Sequence, residues 1–256
     1  MEEAHLLYEV EGCWARITIN RPQLKNALTK EALGLFHDSL DRALSDGAVR
    51  AVLVTGAGGK AFCTGAQLGD ALATEGAGVF GEFARLLERL AFFPKPTLAD
   101  VRGHCLAGGM GIMLACDLAI ASDDSTFGTP EVNVGLWPMM IGALIFRNVA
   151  RKKAMEMILT GRRYTAAQAL SMGLVTDVAP RGEMDALVKN VLEELSSKSP
   201  AAVAIGKEAF GRAEGMPLSD ALGYLSTRIA EVASTEDARE GIAAFLEKRK
   251  PVFTGR

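Results

Sequence analysis

Two stretches of this 256-residue chain put small residues where the backbone itself could do chemistry. The first is GKAFCTGAQL, residues 59–68, with Gly65 and Ala66 at its centre. The second is HCLAGGMGIMLACD, residues 104–117, which carries Gly108, Gly109 and Gly111 and almost no charge. Its pattern is a loop followed by a buried helix. Each glycine inside such a helix costs about 1 kcal/mol relative to alanine. Helix N-termini present unpaired N–H groups and a partial positive charge, and glycine lets a ligand approach them closely. Two such groups aimed at one oxygen would form an oxyanion hole, where one donor is worth about 2.7–4 kcal/mol of transition-state stabilisation. Close packing of a helix on a strand selects glycine as well, so both readings stand at this point. Neither turn ends in the Gly-Lys-Ser/Thr of a phosphate-binding loop. Neither has the spacing of a dinucleotide fingerprint.

The elements around these turns read as α/β. In CWARITIN, residues 13–20, Ala15, Ile17 and Ile19 alternate with Trp14, Arg16 and Thr18, which is strand period. Pro22 breaks that pattern, and Thr29 can cap a helix carrying Leu33, Phe36, Leu40 and Leu44 at helical spacing. RAVLVTGAG is a continuous apolar run, as in a strand buried on both faces of a parallel sheet. Phe80, Phe83, Leu87 and Leu90 mark a second helix, and PKPTLADVRG, DLAIAS and LVTDVAP read as further strands. Beyond residue 183 the pattern is helical almost to the end, with a capped start at Thr235.

The composition is 49% hydrophobic with a net charge of −3 and few aromatics, which suits one large core. It leaves no basic footprint for nucleic acid or an acidic membrane face. Cys13, Cys63, Cys105 and Cys116 lack metal-ligand spacing and read as buried free thiols in a reducing compartment. MEEAHLLYEVEG lacks the features of a secretory signal. No charge-free run reaches the roughly 18 residues of a membrane span. These features predict a soluble, cytoplasmic protein.

The glycine stretches stand in register with NRPQLKNALT (20–29), FGTPEVNVGL (127–136), ILTGRRYTAAQALSMGLV (158–175) and EGIAAFLEKRK (240–250). In this order and spacing they resemble the crotonase superfamily, the enoyl-CoA hydratase/isomerase group. The resemblance implies an α/β spiral core of ββα units over residues 1–195 and a C-terminal helical oligomerisation region over 196–256. It implies a homotrimer or dimer of trimers. Acyl-CoA thioesters would be the substrates, with coenzyme A as part of the substrate and no separate cofactor or metal. By position, the amides of Ala66 and Gly108 would hold the thioester oxygen, with Gly65, Gly109 and Gly111 around them. Lys25 and Lys60 would face the CoA phosphates, and Phe245 and Lys248 would reach the CoA or acyl group.

The same resemblance locates the acid/base chemistry. Hydratases of the group commonly carry two glutamates. The first position is Gly111 here, and the second is Glu131. One carboxylate suffices to move a proton between two carbons, which is the chemistry of 3-enoyl-CoA to 2-enoyl-CoA isomerisation. Glu131 would be the shuttle, its pKa raised by a dry pocket. Trp137 and Met139 follow it, with Met140 and Ile141, as acyl-chain lining or as ordinary core. A single-glutamate hydratase, a malonyl-type decarboxylase and a low-turnover acyl-CoA-binding subunit are the competing expectations. If the missing acid limits hydration, Gly111→Glu should raise it.

Overall fold

The computed structural model of the chain describes residues 4–66 and 77–256. Two sheets are built by a chain that keeps passing between them. The larger holds β1 (Leu6–Glu11), β2 (Trp14–Ile19), β3 (Ala51–Gly56), β5 (Thr97–Val101), β7 (Leu118–Ser122) and β10 (Asp177–Ala179), side by side in that order. Only β1 runs antiparallel to its neighbour. The smaller holds β4 (Ala61–Cys63), β6 (His104–Leu106), β8 (Thr126–Gly128) and β9 (Tyr164–Thr165).

Three successive turns of the chain each lay a strand in each sheet and then a helix. Thus β3 and β4 precede α2 (Ala77–Ala91), β5 and β6 precede α3 (Gly108–Ala115), and β7 and β8 precede α4 (Met139–Asn148). Helix α1 (Lys30–Ser45) lies between β2 and β3. After α4 come α5 (Arg151–Thr160), α6 (Ala166–Ser171), α7 (Met184–Ser196), α8 (Pro200–Ala213), α9 (Leu218–Ser234) and α10 (Glu236–Leu246). Every β5 residue is buried, as are Ala51 to Thr55 of β3, because α7 packs on one face of this parallel sheet and β4 of the smaller sheet packs on the other. On β2, Ala15, Ile17 and Ile19 are sealed while their alternates are half-buried. The Thr29 hydroxyl accepts from the Ala32 amide at 3.1 Å and starts α1; Leu33, Phe36 and Leu40 are buried, whereas Leu44 at the helix end is exposed.

Differences from the sequence reading are local. The start of the second glycine stretch, HCL, is a strand rather than loop. Gln67 and Leu68 of the first glycine stretch fall outside the described residues. Cys63 and Cys105 are buried, but Cys13 and Cys116 are only half-buried; all four are free thiols. No helix among the described residues is long and apolar enough to cross a membrane.

The C-terminal helices are attached by few, specific contacts. Lys207 on α8 forms an ion pair with Asp117. The same carboxylate accepts from the Thr97 amide at 2.7 Å and its hydroxyl at 2.9 Å. The Phe92 ring fills the space beside Gly211, where a Cβ would come within 2.5 Å of Cε1. Removing Asp117 takes the acceptor from the Thr97 amide and leaves the Lys207 ammonium only a neutral acceptor, the Lys95 carbonyl at 3.2 Å, in place of a carboxylate. Asp117→Ala should therefore lower the unfolding free energy by about 2–3 kcal/mol in urea titration, more than Lys207→Ala, which leaves the Thr97 bonds in place.

Candidate active site

The two glycine turns meet. A Cβ built on Gly65 would lie 2.8 Å from both the Gly108 amide nitrogen and the Ala107 Cβ. One built on Gly108 would lie 3.1 Å from the Gly65 Cα and 3.7 Å from the Ala66 nitrogen. Gly65 also has a φ of +91°, so glycine is required there on conformational and on steric grounds.

What each amide points at follows from peptide planarity. In a trans peptide the N–H points away from the C=O of the same unit. The Gly65 carbonyl accepts from the Leu28 amide at 2.8 Å, so the Ala66 N–H faces the opposite way. The Ala107 carbonyl accepts from the Met110 amide at 2.9 Å, which turns the Gly108 N–H out of the first turn of α3. Ala107 holds an unusual φ of +50° to make this corner, and its own amide donates to Gly128 at 3.0 Å. Among the described residues neither the Ala66 nor the Gly108 amide has a backbone acceptor. Two adjoining, pre-aimed N–H groups can donate to a single oxygen.

The other two glycines of α3 have a different cause. A Cβ on Gly109 would run into the Cys63 carbonyl, so its bareness lets α3 approach β4. Beside Gly111 the space is already filled: a Cβ would meet Ile141 Cγ2 at 2.5 Å and both Leu87 methyls at 3.3 Å. The packing reading therefore describes Gly109 and Gly111, and the backbone-chemistry reading suits Gly65, Ala66 and Gly108.

Glu131 stands in the first turn of a 3₁₀ segment, Pro130–Val134. That segment follows directly from Gly128, the partner of Ala107, so Glu131 is close in chain to the amide corner. Its Oε2 is buried and has no hydrogen-bond partner among the described residues. Burial raises its pKa above the ordinary carboxylate range, against the weaker opposing effect of its own backbone N–H. The wall near Gly108 and Gly111 is Phe83, Leu87 and Ile141, all at most 9% exposed and all without polar side-chain atoms.

The remaining predicted residues are more scattered. Trp137 is 43% and Met139 72% exposed, so ordinary core packing does not describe them; Ile141 is the residue of that run that is buried. Lys25 is exposed, has a left-handed φ of 53°, and its carbonyl accepts from the Thr64 hydroxyl at 3.2 Å, beside Gly65. Lys60 is exposed, and its carbonyl accepts from the His104 amide. Phe245, 82% exposed, edges a separate apolar cavity of about 420 Å³ with Val232, Ile242 and Phe253. Lys248 follows in a left-handed turn after α10. Among the described residues no group of three His, Cys, Asp or Glu side chains is placed to hold a metal ion.

Sequence reasoning missed Asn26. It is fully buried with a φ of 56°, and its amide nitrogen donates to the Ala57 and Ala61 carbonyls at 3.0 and 2.6 Å. Its Oδ1 accepts from the Arg21 amide. These bonds fix the turn that delivers Leu28 to Gly65. An asparagine in a Lys-Asn pair ahead of a helix cap was the available signal, since Asn tolerates the left-handed region.

A ββα spiral with paired amides at the start of a buried helix is the crotonase architecture. The chain belongs to the enoyl-CoA hydratase/isomerase family, whose model matches residues 9–256. It is 35% identical to a short-chain-enoyl-CoA hydratase of Clostridium acetobutylicum, covering 98% of this chain and 97% of that one. It is 33% identical to the 2,3-dehydroadipyl-CoA hydratase of Escherichia coli, covering 94% of each. The crystal structure of an enoyl-CoA hydratase from Bacillus anthracis superposes with a TM-score of 0.93 at 30% identity, over 98% of this chain and all of that one.

The glycine assignments make a paired prediction. Gly109→Ala should cost about 1–3 kcal/mol through overpacking on the Cys63 carbonyl. Gly142→Ala on α4, where a Cβ meets nothing within 4 Å, should be neutral or stabilising by up to about 1 kcal/mol. Urea unfolding of the two variants beside the parent checks both.

Proposed function

We propose that the protein moves the double bond of a 3-enoyl-CoA to give a 2-enoyl-CoA, with Glu131 as the proton shuttle. The observation that carries this is the buried Oε2 of Glu131, which has no hydrogen-bond partner among the described residues. The thioester oxygen accepts from the Ala66 and Gly108 amides. The ionised Glu131 takes a proton from C2, and the electron pair passes onto the carbonyl as an enolate held by the two N–H groups. The enolate pair returns to form the C2–C3 double bond, and the C3–C4 π pair opens onto C4 to take the proton from Glu131. Substrate and product have the same atoms, so no water is consumed.

Hydration needs a water held between acid/base groups. A buried water needs two to four polar partners, and at Gly111 the structure offers Ile141 and Leu87 instead. The names of the similar proteins favour the alternative reading, water addition to a 2-enoyl-CoA with Glu131 alone. Lys25 and Lys60, exposed beside the two turns, suit the CoA phosphates. Self-association through residues 196–256 is supported by the exposed apolar side chains there: Phe210, Leu218, Leu222 and Ile229 are each at least 60% exposed. Phe245 and Lys248 would then reach the substrate of a neighbouring copy.

Glu131→Gln should lower turnover of a 3-enoyl-CoA by about 10²–10⁴-fold, the range for a positioned acid/base. The same variant should be more heat-stable at neutral pH. The carboxyl's folded pKa is raised, so its ionisation on the way to pH 7 favours the unfolded chain. Relative to the parent, the gain should appear as pH rises through the folded pKa and vanish below the ordinary glutamate range. Undiminished turnover in the variant, or a stability gain that grows in acid, would contradict the role.

The structure revises the expectation for Gly111→Glu. With Ile141 Cγ2 at 2.5 Å from the Cβ position, the single substitution should destabilise the fold and add no hydration. The double variant Gly111→Glu with Ile141→Ala opens the space. It should gain water addition to a 2-enoyl-CoA over the parent, measured by the mass of the product.

A further inference from the structure

Gly65 is the most conformationally free residue type at the most demanding point of the site. Its two flanking peptide units are nevertheless both held. The carbonyl of the 65–66 unit is bound by Leu28. The N–H of the 64–65 unit donates to a side chain, the Cys63 sulfur, at 3.4 Å. Cys63 is fully buried, and its carbonyl is the group that Gly109 makes room for. One residue thus touches both amide-bearing turns: its thiol holds the Gly65 turn, and its backbone is the floor under the start of α3.

We propose that Cys63 is a positioning residue for the reaction, whose thiol sulfur, by accepting the Gly65 N–H, sets the direction of the Ala66 amide. The inference rests on the reading of the Ala66 and Gly108 amides as the thioester-oxygen site. Burial pushes the thiol pKa up to about 12, so it stays protonated and is a neutral acceptor rather than a nucleophile. Without the sulfur, the Gly65 N–H is left buried and unpaired, which the turn can relieve only by rotating. Rotation at Gly65 carries the next peptide with it, and the Ala66 N–H leaves its aim. The binding surface for the rest of the substrate is untouched. The loss should therefore fall on kcat rather than on KM.

Three substitutions separate this from packing. Cys63→Ala removes both the acceptor and the volume. Cys63→Val keeps volume without an acceptor. Cys63→Ser keeps an acceptor with less volume. The full-length variants are assayed for steady-state turnover. The carbonyl stretch of bound butyryl-CoA is recorded by infrared difference spectroscopy, a direct readout of hydrogen bonding to the thioester oxygen. Removing a whole oxyanion donor costs about 10²–10³ in kcat, so a mis-aimed one should cost about tenfold or more. The Ala and Val variants should show that loss with KM within about twofold of the parent. Their carbonyl band should lie closer to that of free thioester, and Ser should recover most of the kcat and of the band shift. Recovery by Val and not by Ser would make Cys63 a packing residue and overturn the proposal. A parent whose bound carbonyl is shifted while none of the variants changes it would overturn it as well. A parent with no shift at all would instead remove the amide-pair reading, and this inference with it.

Discussion

The site depends on the planarity of two peptide units. Neither amide proposed to hold the substrate oxygen can be adjusted by a side chain of its own. Each is aimed from behind, through the carbonyl of the same plane. One carbonyl belongs to Gly65 and is gripped by Leu28; the other belongs to Ala107 and is gripped by Met110. Much of the surrounding structure reads as support for these grips. Asn26 fixes the turn that presents Leu28, and the β6–β8 pairing delivers Gly128 to the Ala107 amide. Strands β6 and β8 are only three residues each. Preorganised dipoles of this kind need no reorganisation when charge develops on the bound oxygen.

Glu131 is the opposite kind of group. Its buried oxygen has no hydrogen-bond partner among the described residues, and ionising it there is unfavourable. A fold selected for stability alone would neutralise or expose such a carboxylate. Keeping it buried makes sense if substrate supplies the missing contact and if a raised basicity is useful. Burial raises that basicity, and the apolar side chains Phe83, Leu87 and Ile141 beside Gly108 and Gly111 offer a water no hydrogen-bond partner of their own.

Much of this was legible in the sequence, for physical reasons that can be named. Continuous apolar runs such as AVLVT report burial on both faces, and Thr29 and Thr235 marked helix starts that the structure bears out. The glycines were visible, but their division was not. Gly108, Gly109 and Gly111 look alike in a string, and what separates them is which atom stands where a Cβ would be. The strands of the smaller sheet were too short to show a period. The run from Trp137 to Ile141 is uniformly apolar, so nothing in it foretold that Trp137 and Met139 would be exposed and Ile141 sealed. Asn26 escaped notice, and Cys63 read only as a buried thiol, because their partners are backbone groups far along the chain or hidden in a turn.

The central claim is that this site transfers a proton and does not add water. The most direct test gives the purified protein a 3-enoyl-CoA and a 2-enoyl-CoA of equal chain length and weighs the products. The account predicts rapid conversion of the 3-enoyl substrate with no change in mass, and little water uptake by the 2-enoyl substrate. Rapid gain of one water on the 2-enoyl substrate, with the 3-enoyl substrate left unconverted, would contradict it.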